Sequence, residues 1–304
     1  MKVTASLIVL AGSVALSGAG PQTFRAATQV VTVQVSVLQG KTPLRGLTTS
    51  EFELTDNGVP QHVQLIPADA TPIDLTLIIG AYGARLEASR IGPYLKRLVS
   101  WLQAPDRIQV LGLGRDVRNV LTFRSASDVP SDGLIGALTR SSGGTDPIHD
   151  PLLLGSPSFD ALLLALIRPV DPDRRSVIVR LWFEGSSGNA VPDGGLVADV
   201  AARSDSVLYV AYAPGRTEGM PTDSTPLQYE LQSLTSAAEA TGGALRHVGN
   251  GVGAFKDTLD EFRQSYVLRY TATGVPTGGW HALSVRVPNR PSAVVHARTG
   301  YVGR

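Results

Sequence analysis

The chain lacks cysteine and has almost no net charge. Its 304 residues include 27 basic and 26 acidic side chains, a formal net charge of +1. Without cysteine the protein cannot form disulfides, zinc–thiolate sites, iron–sulfur clusters or thiol nucleophiles. The balanced charge provides no basic field for a phosphate backbone, so the sequence argues against nucleic-acid binding.

Long hydrophobic runs are also scarce. The sequence has no run of about 18 uninterrupted apolar residues, so we predict no membrane span. At the N-terminus, Lys2 precedes a short apolar run over residues 7–16, and Ser17 and Ala19 form an Ala-x-Ala-like end. This pattern is typical of a secretory signal peptide over residues 1–19. We therefore expect an exported protein of a bacterial envelope, periplasmic or extracellular, which also fits the lack of disulfides.

The pattern of apolar residues changes twice along the rest of the chain. Val31, Val33 and Val35 alternate with polar residues, which is typical of a half-exposed antiparallel strand. The tripeptide Asp56-Asn57-Gly58 between two apolar runs predicts a β-hairpin. After residue 265, short alternating segments again predict strands.

The central part, from residue 72 to 264, alternates predicted strands with predicted helices. Near-continuous apolar runs such as 75–79 and 176–183 are typical of strands that are covered on both faces. Five segments have the apolar spacing of helices: residues 86–102, 160–167, 196–203, 227–241 and 252–263. This alternation predicts an α/β fold with a doubly wound, mostly parallel sheet.

We expect the strands predicted at the two ends of the chain to pair with each other. About three strands at each end are too few for a stable sheet, because each sheet would leave open edges. We therefore predict that they pair into one small β-sandwich, with the α/β domain inserted between them. The predicted division is residues 20–71 and 265–304 for the sandwich and 72–264 for the α/β domain.

Motifs at both ends resemble those of a known family. They are 44–48 (LRGLT), 52–54 (FEL) and 57–61 (NGVPQ) near the start, and 266–270 (YVLRY), 279–281 (GWH) and 295–301 (VHARTGY) near the end. In these motifs the chain resembles bacterial exported proteins of the VWFA-related type, which are built on a von Willebrand factor A domain. The resemblance implies that domain at the centre of the chain.

The family's chemistry is a metal-ion-dependent adhesion site. There a D-x-S-x-S loop after the first strand of the domain, a threonine and a later aspartate hold Mg²⁺ through carboxylate and hydroxyl oxygens. The matching positions here are Gly80, Tyr82 and Ala84 in the loop, Ser156 or Thr145 for the threonine, and Glu184 for the aspartate. One carboxylate and one hydroxyl do not outcompete water for Mg²⁺. We therefore expect a degenerate metal site with no cofactor, in which Tyr82 caps the pocket or contacts a partner.

Other interpretations of these residues stay open. Gly80-x-x-Gly83 between a strand and a helix is a partial dinucleotide loop, but the third glycine is missing. An exported hydrolase would use Ser156 or Ser186 with His149 and an aspartate, although residues 185–188 (GSSG) do not match G-x-S-x-G. A purely structural envelope subunit is a third possibility.

Several packing expectations follow from the same patterns. The four remaining histidines fall in predicted strands, where half-exposed imidazoles are ordinary, and none has the spacing of a zinc site. Core packing is the simplest account of Trp101, Trp182 and Trp280. The segment 171–175 (DPDRR) predicts a helix-to-strand turn with its charges in water.

The combined patterns favour binding over catalysis. Open α/β sheets bind ligands beyond the carboxyl ends of their strands. We therefore expect an exported, non-enzymatic protein-binding or scaffold module whose partner is a protein and whose binding edge carries Gly80, Tyr82 and Glu184. Without a metal, recognition would depend on shape, Tyr82 and loop backbone.

Overall fold

A computed structural model describes residues 29–68, 71–80, 99–113, 117–129, 157–183, 194–213, 225–247 and 253–303. Within them the chain forms one mixed sheet, two antiparallel sheets and helices. This confirms the predicted α/β class. The predicted signal peptide over residues 1–19 lies outside the described residues.

The strands and helices follow one another closely along the described segments. The strands are β1 Val30–Gln39, β2 Thr42–Pro43, β3 Glu53–Asp56, β4 Val59–Gln61, β5 Gln64–Ile66, β6 Ile73–Gly80, β7 Arg107–Leu113, β8 Val117–Ser125, β9 Arg175–Phe183, β10 Val207–Ala213, β11 Leu245–His247, β12 Tyr266–Thr271, β13 Gly279–Arg286, β14 Ala293–Ala297 and β15 Gly300–Gly303. The helices are α1 Pro157–Leu166, α2 Gly194–Arg203, α3 Thr225–Ala240 and α4 Gly253–Gln264. These bounds agree with the predicted ones to within a few residues. Of the helix predicted over 86–102, only residues 99–102 are described.

The central sheet is mostly parallel, as predicted. Its six strands have the order β11-β10-β9-β6-β7-β8, and the edge strand β8 runs antiparallel to β7. Successive residues of β6 contribute to opposite faces, since Leu77 belongs to one apolar cluster and Ile78 to another. Burial on both faces explains why the strands are near-continuous apolar runs.

Helices cover both faces of this sheet. Leu259 and Phe262 of α4 pack in the cluster on one face. Leu162 of α1, Val197 of α2 and Leu234 of α3 pack in the cluster on the other face. The sheet is therefore doubly wound.

Strands from the two ends of the chain pair with each other. One antiparallel sheet has the order β14-β1-β12-β5, with β2 paired to β1, and the other has the order β15-β13-β3-β4. Val35 in β1 lies opposite Tyr266 in β12, and Leu54 in β3 lies opposite Val285 in β13. The alternating valines of β1 and Leu54 of β3 belong to one buried apolar cluster.

The predicted hairpin joins β3 to β4. Asp56 pairs with Val59 across a two-residue turn, and both turn residues have positive φ, 48° at Asn57 and 81° at Gly58. A two-residue turn of this kind needs left-handed backbone at both positions, which asparagine and glycine tolerate best. The hairpin prediction is confirmed.

The antiparallel sheets contact one end of the central sheet. We call the end at which its parallel strands begin the amino edge, and the end at which they stop the carboxyl edge. Connecting helices run against the parallel strands, so their C-terminal turns lie at the amino edge. Arg175, at the start of β9, donates hydrogen bonds to the carbonyls of Phe262 and Arg263 in the last turn of α4 and to the Gln34 side chain of β1.

The segment between β14 and β15 holds the ends of two further helices. Arg298 donates to the carbonyl of Ala202 in α2, and the Thr299 amide donates to the carbonyl of Ala240 in α3. Gly242, just after α3, has a φ of 82°, and a Cβ there would stand 2.6 Å from the Arg298 amide nitrogen. The close approach requires glycine at this position.

Two arginines at the amino edge are more buried than the sequence predicts. The sequence predicts Arg174 and Arg175 in water, but their side chains are largely buried because Arg174 pairs with Asp74 and Arg175 caps α4. Sequence periodicity reports burial of apolar residues and misses a buried arginine whose partners are distant in sequence.

Two aromatic expectations in the antiparallel sheets are also wrong. His281 is fully buried rather than half-exposed, because it hydrogen-bonds Asp56 and stacks on Tyr301. Trp280 is 46% exposed, and its indole lies over Gly300, where an added Cβ would be 2.3 Å from the ring. Trp101 is half-buried against the central core, in agreement with its prediction.

In the described part of the chain, no helix combines the length and the apolar composition of a membrane span.

Candidate functional site

The predicted site lies where two parallel strands end side by side. In the sheet β6 has β7 on one side and β9 on the other, so the chain order of the strands reverses there. Ile79 pairs with Leu181 of β9, and Gly80 pairs with Leu113 at the end of β7. Such a reversal leaves a crevice beyond the carboxyl ends of the strands, where open α/β sheets bind ligands.

Gly80, the predicted first position of the degenerate metal loop, is the last residue of β6 and lies at this reversal. Five other predicted site residues lie outside the described residues: Tyr82, Ala84, Thr145, Ser156 and Glu184. The described elements fix where their segments attach. β9 ends at Phe183, one residue before Glu184, and α1 begins at Pro157, one residue after Ser156.

A buried polar network lies just below the carboxyl edge. Arg180 of β9 donates from Nη2 to the hydroxyl of Ser158 at 2.8 Å, and Ser158 donates to Glu230 Oε1 at 2.7 Å. The guanidinium and the Glu230 carboxylate are 3.7 Å apart. The network therefore connects β9 to the first turn of α1 and to α3.

Arg180 is deeply buried, yet only part of its hydrogen-bonding capacity is used by the described residues. Its side chain is 1% exposed, and its Nε and Nη1 have no hydrogen-bond acceptor among the described residues. Burial lowers the pKa of Arg180 to about 10, an effect that the Glu230 charge only partly opposes. The guanidinium is therefore protonated at neutral pH, and it is a positive charge with unused donors.

Sequence reasoning missed this network. Arg180 lies inside the segment 176–183, whose apolar pattern predicts a buried strand and does not indicate what would pair with the one charge within it. A charged residue in such a run is a usable signal, since an ionised side chain is costly to bury without a partner. Its partners are 22 and 50 residues away, at Ser158 and Glu230, and spacing does not identify them.

The amino edge also contains buried charges, but these are fully paired. Asp74, near the start of β6, forms ion pairs with Arg107, Arg168 and Arg174 at 2.5 to 3.2 Å. Burial alone would raise the pKa of Asp74, but hydrogen bonds from Arg107 and Arg174 outweigh it and hold the pKa below its usual range. Asp74 lies near the start of β6, at the opposite end of the strand from the carboxyl edge.

Asp106, also at the amino edge, is another buried carboxylate whose hydrogen bonds are complete. Its side chain is fully buried and accepts hydrogen bonds from the backbone amides of Ile73 and Gln103 and from Arg263, at 2.7 to 2.8 Å. These contacts join the start of β6, the segment before β7 and the last turn of α4. Asp106 thus has a structural role at the amino edge.

A buried acid–histidine pair occurs in the antiparallel sheets. Asp56 Oδ1 is 2.8 Å from His281 Nδ1, and Asp56 Oδ2 accepts hydrogen bonds from the hydroxyls of Tyr270 and Tyr301 at 2.8 Å. Burial and the Asp56 contact raise the pKa of Tyr301 to about 12. Because both members of the pair are fully buried, the arrangement serves to join β3, β12, β13 and β15 rather than to meet a substrate.

A cleft of about 550 Å³ lies at the amino edge. Its walls include Arg45, Leu65, Gln103, Arg263 and Tyr266. Arg45 donates to the Gln264 side chain at 2.9 Å, and Arg263 is paired with Asp106. The cleft contains none of the predicted site residues.

The described ranges contain no group of three or more histidine or acidic side chains that could hold a metal ion. Together the fold and the edge define an α/β protein whose doubly wound sheet carries two antiparallel sheets at one edge and a strand-order reversal at the other.

Comparison with known proteins gives distant likenesses only. No family model matches the chain, and no curated protein matches its sequence. Similar solved structures include a von Willebrand factor type A protein from Catenulispora acidiphila, at 11% identity over 92% of this chain and 65% of that one, with a TM-score of 0.44. The conserved hypothetical protein BatB from Bacteroides thetaiotaomicron is 13% identical over 62% of this chain and 96% of its own, with a TM-score of 0.43.

The PilB minor pilin from Streptococcus sanguinis is also similar, at 11% identity over 64% of this chain, with a TM-score of 0.41. The match spans only 60% of the pilin's own length. At these identities and TM-scores, none of the likenesses carries a conclusion about what this chain does.

Proposed function

We propose that this chain is an exported bacterial protein-binding or scaffold module. In this proposal a von Willebrand A-like α/β domain is inserted in a small β-sandwich and binds a protein partner through its carboxyl edge. The module acts without catalysis and without a metal, in the periplasm or outside the cell, after loss of the signal peptide.

The observation that carries the proposal is the unequal use of the two edges. The segment between β14 and β15 contacts the C-terminal ends of α2 and α3 through Arg298 and Thr299. At the start of β9, Arg175 joins the end of α4 to Gln34 of β1. The amino edge is thereby committed to contacts within the chain. The carboxyl edge is the opposite end, and it contains the strand-order reversal at which such sheets bind ligands.

The pairing of the chain ends supports the proposed insertion. Each antiparallel sheet combines strands from before residue 67 with strands from after residue 265. A single apolar cluster contains side chains from both sheets. We take the sandwich to be residues 20–71 with 265–304, and the α/β domain to be 72–264.

The residues present do not fit Mg²⁺. Gly80 provides no side-chain oxygen at the first ligand position, and Mg²⁺ requires several hard oxygen ligands. The Arg180 guanidinium lies below the same edge, and its positive charge would repel a divalent cation bound there. These observations support recognition that is independent of a metal.

The hydrolase alternative receives no support from the described residues. Its candidates Ser156, Ser186 and His149 lie outside them. The buried histidine that does face a carboxylate, His281, contacts tyrosine hydroxyls rather than a serine, and it is fully buried. We therefore prefer binding to catalysis.

Capture of a partner by matched variants tests this function. The mature chain is immobilised, proteins are captured from envelope extract, and the captured protein is purified and titrated against the wild type and two variants. Tyr82→Ala/Ala84→Arg alters the carboxyl edge, and Asn289→Arg alters an exposed turn of the antiparallel sheets.

We expect the carboxyl-edge variant to weaken binding at least about tenfold, because a bulky charge is placed within the interface. Asn289→Arg and excess EDTA should leave the affinity unchanged. The proposal fails if the turn variant or EDTA abolishes binding, or if the captured protein is converted to a product.

A further inference from the structure

The outer strand of one antiparallel sheet borders the cleft at the amino edge. β5 is the last strand in the order β14-β1-β12-β5, so it pairs with β12 on one side only. Leu65 and Ile66 of β5 and the following residues Pro67 and Ala68 line the cleft. An open sheet edge is a template on which a further strand can pair.

The register of β1 and β12 shows which backbone groups of β12 point towards β1. In an antiparallel pair, opposite residues that exchange two hydrogen bonds alternate with opposite residues that exchange none. The Ala272 amide donates to the Gln29 carbonyl. Counting in twos from that pair, Val33 and Leu268 exchange hydrogen bonds, so the amide and carbonyl of Leu268 point towards β1.

The two neighbours of Leu268 in β12 therefore point their backbone groups towards β5. Val267 lies opposite Ile66, and Arg269 lies opposite Gln64, so these two pairs exchange hydrogen bonds. Leu65 lies between them. Its amide and carbonyl consequently face away from β12, towards the open edge of the sheet.

This edge is short and is closed at one end. β5 has three residues, and Pro67 directly after it has no amide to donate. Short strands and proline protect sheet edges against unspecific pairing, which limits an added strand to a short segment at Leu65. The cleft volume of about 550 Å³ lies within the range of about 300–1,000 Å³ that is usual for ligand pockets.

Two of the charged side chains that line the cleft are neutralised within the chain. Arg263 forms an ion pair with the buried Asp106 at 2.7 Å. Asp260 forms an ion pair with Lys256, which lies one turn earlier on α4. Neither side chain therefore adds an uncompensated charge to the cleft.

The remaining charged side chain of the cleft, Arg45, has no counter-ion among the described residues. Its Nε donates to the neutral side chain of Gln264 at 2.9 Å. Glu51, the next acid along the chain, accepts hydrogen bonds from Thr48 and lies 3.9 Å from Arg290 instead. The terminal nitrogens of Arg45 are thus available to a carboxylate, the group that a guanidinium binds most strongly.

We propose that the cleft binds an extended peptide segment of another protein, which pairs with the main chain of Leu65 as an added strand and places an acidic side chain on Arg45. Strand addition is the binding mode that an outward amide and carbonyl satisfy. This ligand is distinct from the partner of the carboxyl edge, so the inference stands independently of the proposed function.

A second copy of this chain is a less suitable occupant. Two-fold pairing of two β5 edges would bring the same surface of both copies together, including both Arg45 side chains. Like charges that face each other across an interface are unfavourable. A peptide that carries an acid meets the same edge with complementary charge.

The probe is a fluorescein-labelled pentapeptide of sequence TVEVT, with TVQVT as its neutral counterpart. Binding is followed by fluorescence anisotropy, and amide hydrogen exchange of the protein is followed by NMR. In the protein alone, the Leu65 amide should exchange faster than the amides of Gln64 and Ile66. Saturation with TVEVT should slow the exchange of Leu65 at least about tenfold, because its amide then has an acceptor.

Two variants with matched controls separate the two contacts. Leu65→Pro removes the outward amide but no hydrogen bond to β12, since proline is tolerated at such positions of edge strands. Its control, Leu65→Ala, also shortens the side chain but keeps the amide. Arg45→Gln removes the charge, and Arg286→Gln makes the same change at an exposed position of β13.

We expect Leu65→Pro to bind TVEVT at least about fivefold more weakly than Leu65→Ala, because one hydrogen bond is lost. Arg45→Gln should bind TVEVT about threefold more weakly than the wild type and no better than it binds TVQVT. Arg286→Gln should bind both peptides as the wild type does.

The inference is overturned if TVEVT gives no saturable binding, or if it leaves the exchange of Leu65 unchanged. Equal binding by Leu65→Pro and Leu65→Ala, with equal urea midpoints, would also overturn it. If Leu65→Pro does not fold, the exchange of Leu65 in the wild type decides the same point. Slowed exchange of Leu65 that increases with protein concentration alone would identify a second copy as the occupant and contradict the peptide.

Discussion

The two edges of the central sheet treat buried charge differently. At the amino edge Asp106 accepts three hydrogen bonds and Asp74 is surrounded by three guanidinium groups. At the carboxyl edge Arg180 makes one hydrogen bond to a described residue, and its nitrogen lies 3.7 Å from the Glu230 carboxylate. Both edges belong to the same sheet, so the fold alone does not explain why buried charges are paired more completely at one edge than at the other.

The comparison separates contacts that hold the protein together from groups available to a ligand. A fully satisfied buried network rigidifies the structure around it, whereas a partly satisfied one is costly. Departures from complete pairing are expected at functional sites. The amino edge is accordingly a structural joint, and the carboxyl edge is the better candidate for binding.

Removing an acid from the amino edge should have the largest effect on stability. Asp106→Ala leaves the buried amide of Ile73, the amide of Gln103 and the Arg263 guanidinium without their acceptor. Breaking a buried charge pair in this way costs about 3–5 kcal/mol. We expect a loss of that size in the free energy of unfolding from urea denaturation.

The control is an exposed acid near the same joint. Asp205 pairs with Arg298 but is 62% exposed, so Asp205→Ala should cost less than about 1 kcal/mol. Equal effects of the two substitutions would contradict the claim that complete burial and pairing distinguish the joint.

Removing the charge from the carboxyl edge should cost less. In Arg180→Met the Glu230 carboxylate keeps its bond from Ser158 but loses its buried counter-ion. We expect a loss of about 3 kcal/mol in the free energy of unfolding, the lower end of the cost of breaking a buried charge pair, because this pair has no direct hydrogen bond. The double variant Arg180→Met/Glu230→Leu should recover to within about 1 kcal/mol of the wild type. A loss larger than that of Asp106→Ala would remove the difference between the edges.

The amino edge should also dominate the loss of stability in acid. The pKa of Asp74 is lower in the folded protein than in the unfolded chain, so the folded state binds its proton less tightly. This contribution is complete above the unfolded pKa of about 3.9 and is lost as the pH falls through the folded value. Asp74→Asn should therefore reduce the change in unfolding free energy between pH 6 and pH 3, measured by urea denaturation at each pH.

An unchanged acid dependence in Asp74→Asn would show that other carboxylates dominate. The matched control is Asp173→Asn, an exposed acid in the turn before β9, which should leave the acid dependence as it is in the wild type.

The smallest expected effect is that of Mg²⁺. Isothermal titration calorimetry of the protein with Mg²⁺ or Mn²⁺ should give no saturable heat, because the predicted loop lacks carboxylate and serine ligands. Stoichiometric binding at micromolar affinity would show that the site retains its metal and would contradict the proposed mode of recognition.

Much of the fold follows from periodic patterns in the sequence. The alternating valines of β1, the Asn57-Gly58 turn and the continuous apolar run of β6 each determine a local structure that the chain adopts. Pairing of the two chain ends follows from the instability of open sheet edges. These inferences succeed because they depend on burial and backbone geometry, which repeat along the sequence.

The buried polar contacts could not be predicted in the same way. Asp106 and Arg263 are 157 residues apart, and Asp56 and His281 are 225 residues apart. Such pairs form only after the chain has folded, and nothing in their local spacing marks them. For the same reason the sequence pattern predicts Arg175 in water and does not identify the partners of Arg180 within its apolar run.

The most direct test of the account is hydrogen–deuterium exchange of the protein, alone and saturated with a partner captured as described above. We predict slower exchange in peptides that contain the end of β6, the end of β9 and the start of α1. Peptides at the amino edge should exchange at the same rate with and without the partner. Protection confined to the amino edge or to the antiparallel sheets would contradict the assignment of the carboxyl edge as the binding site.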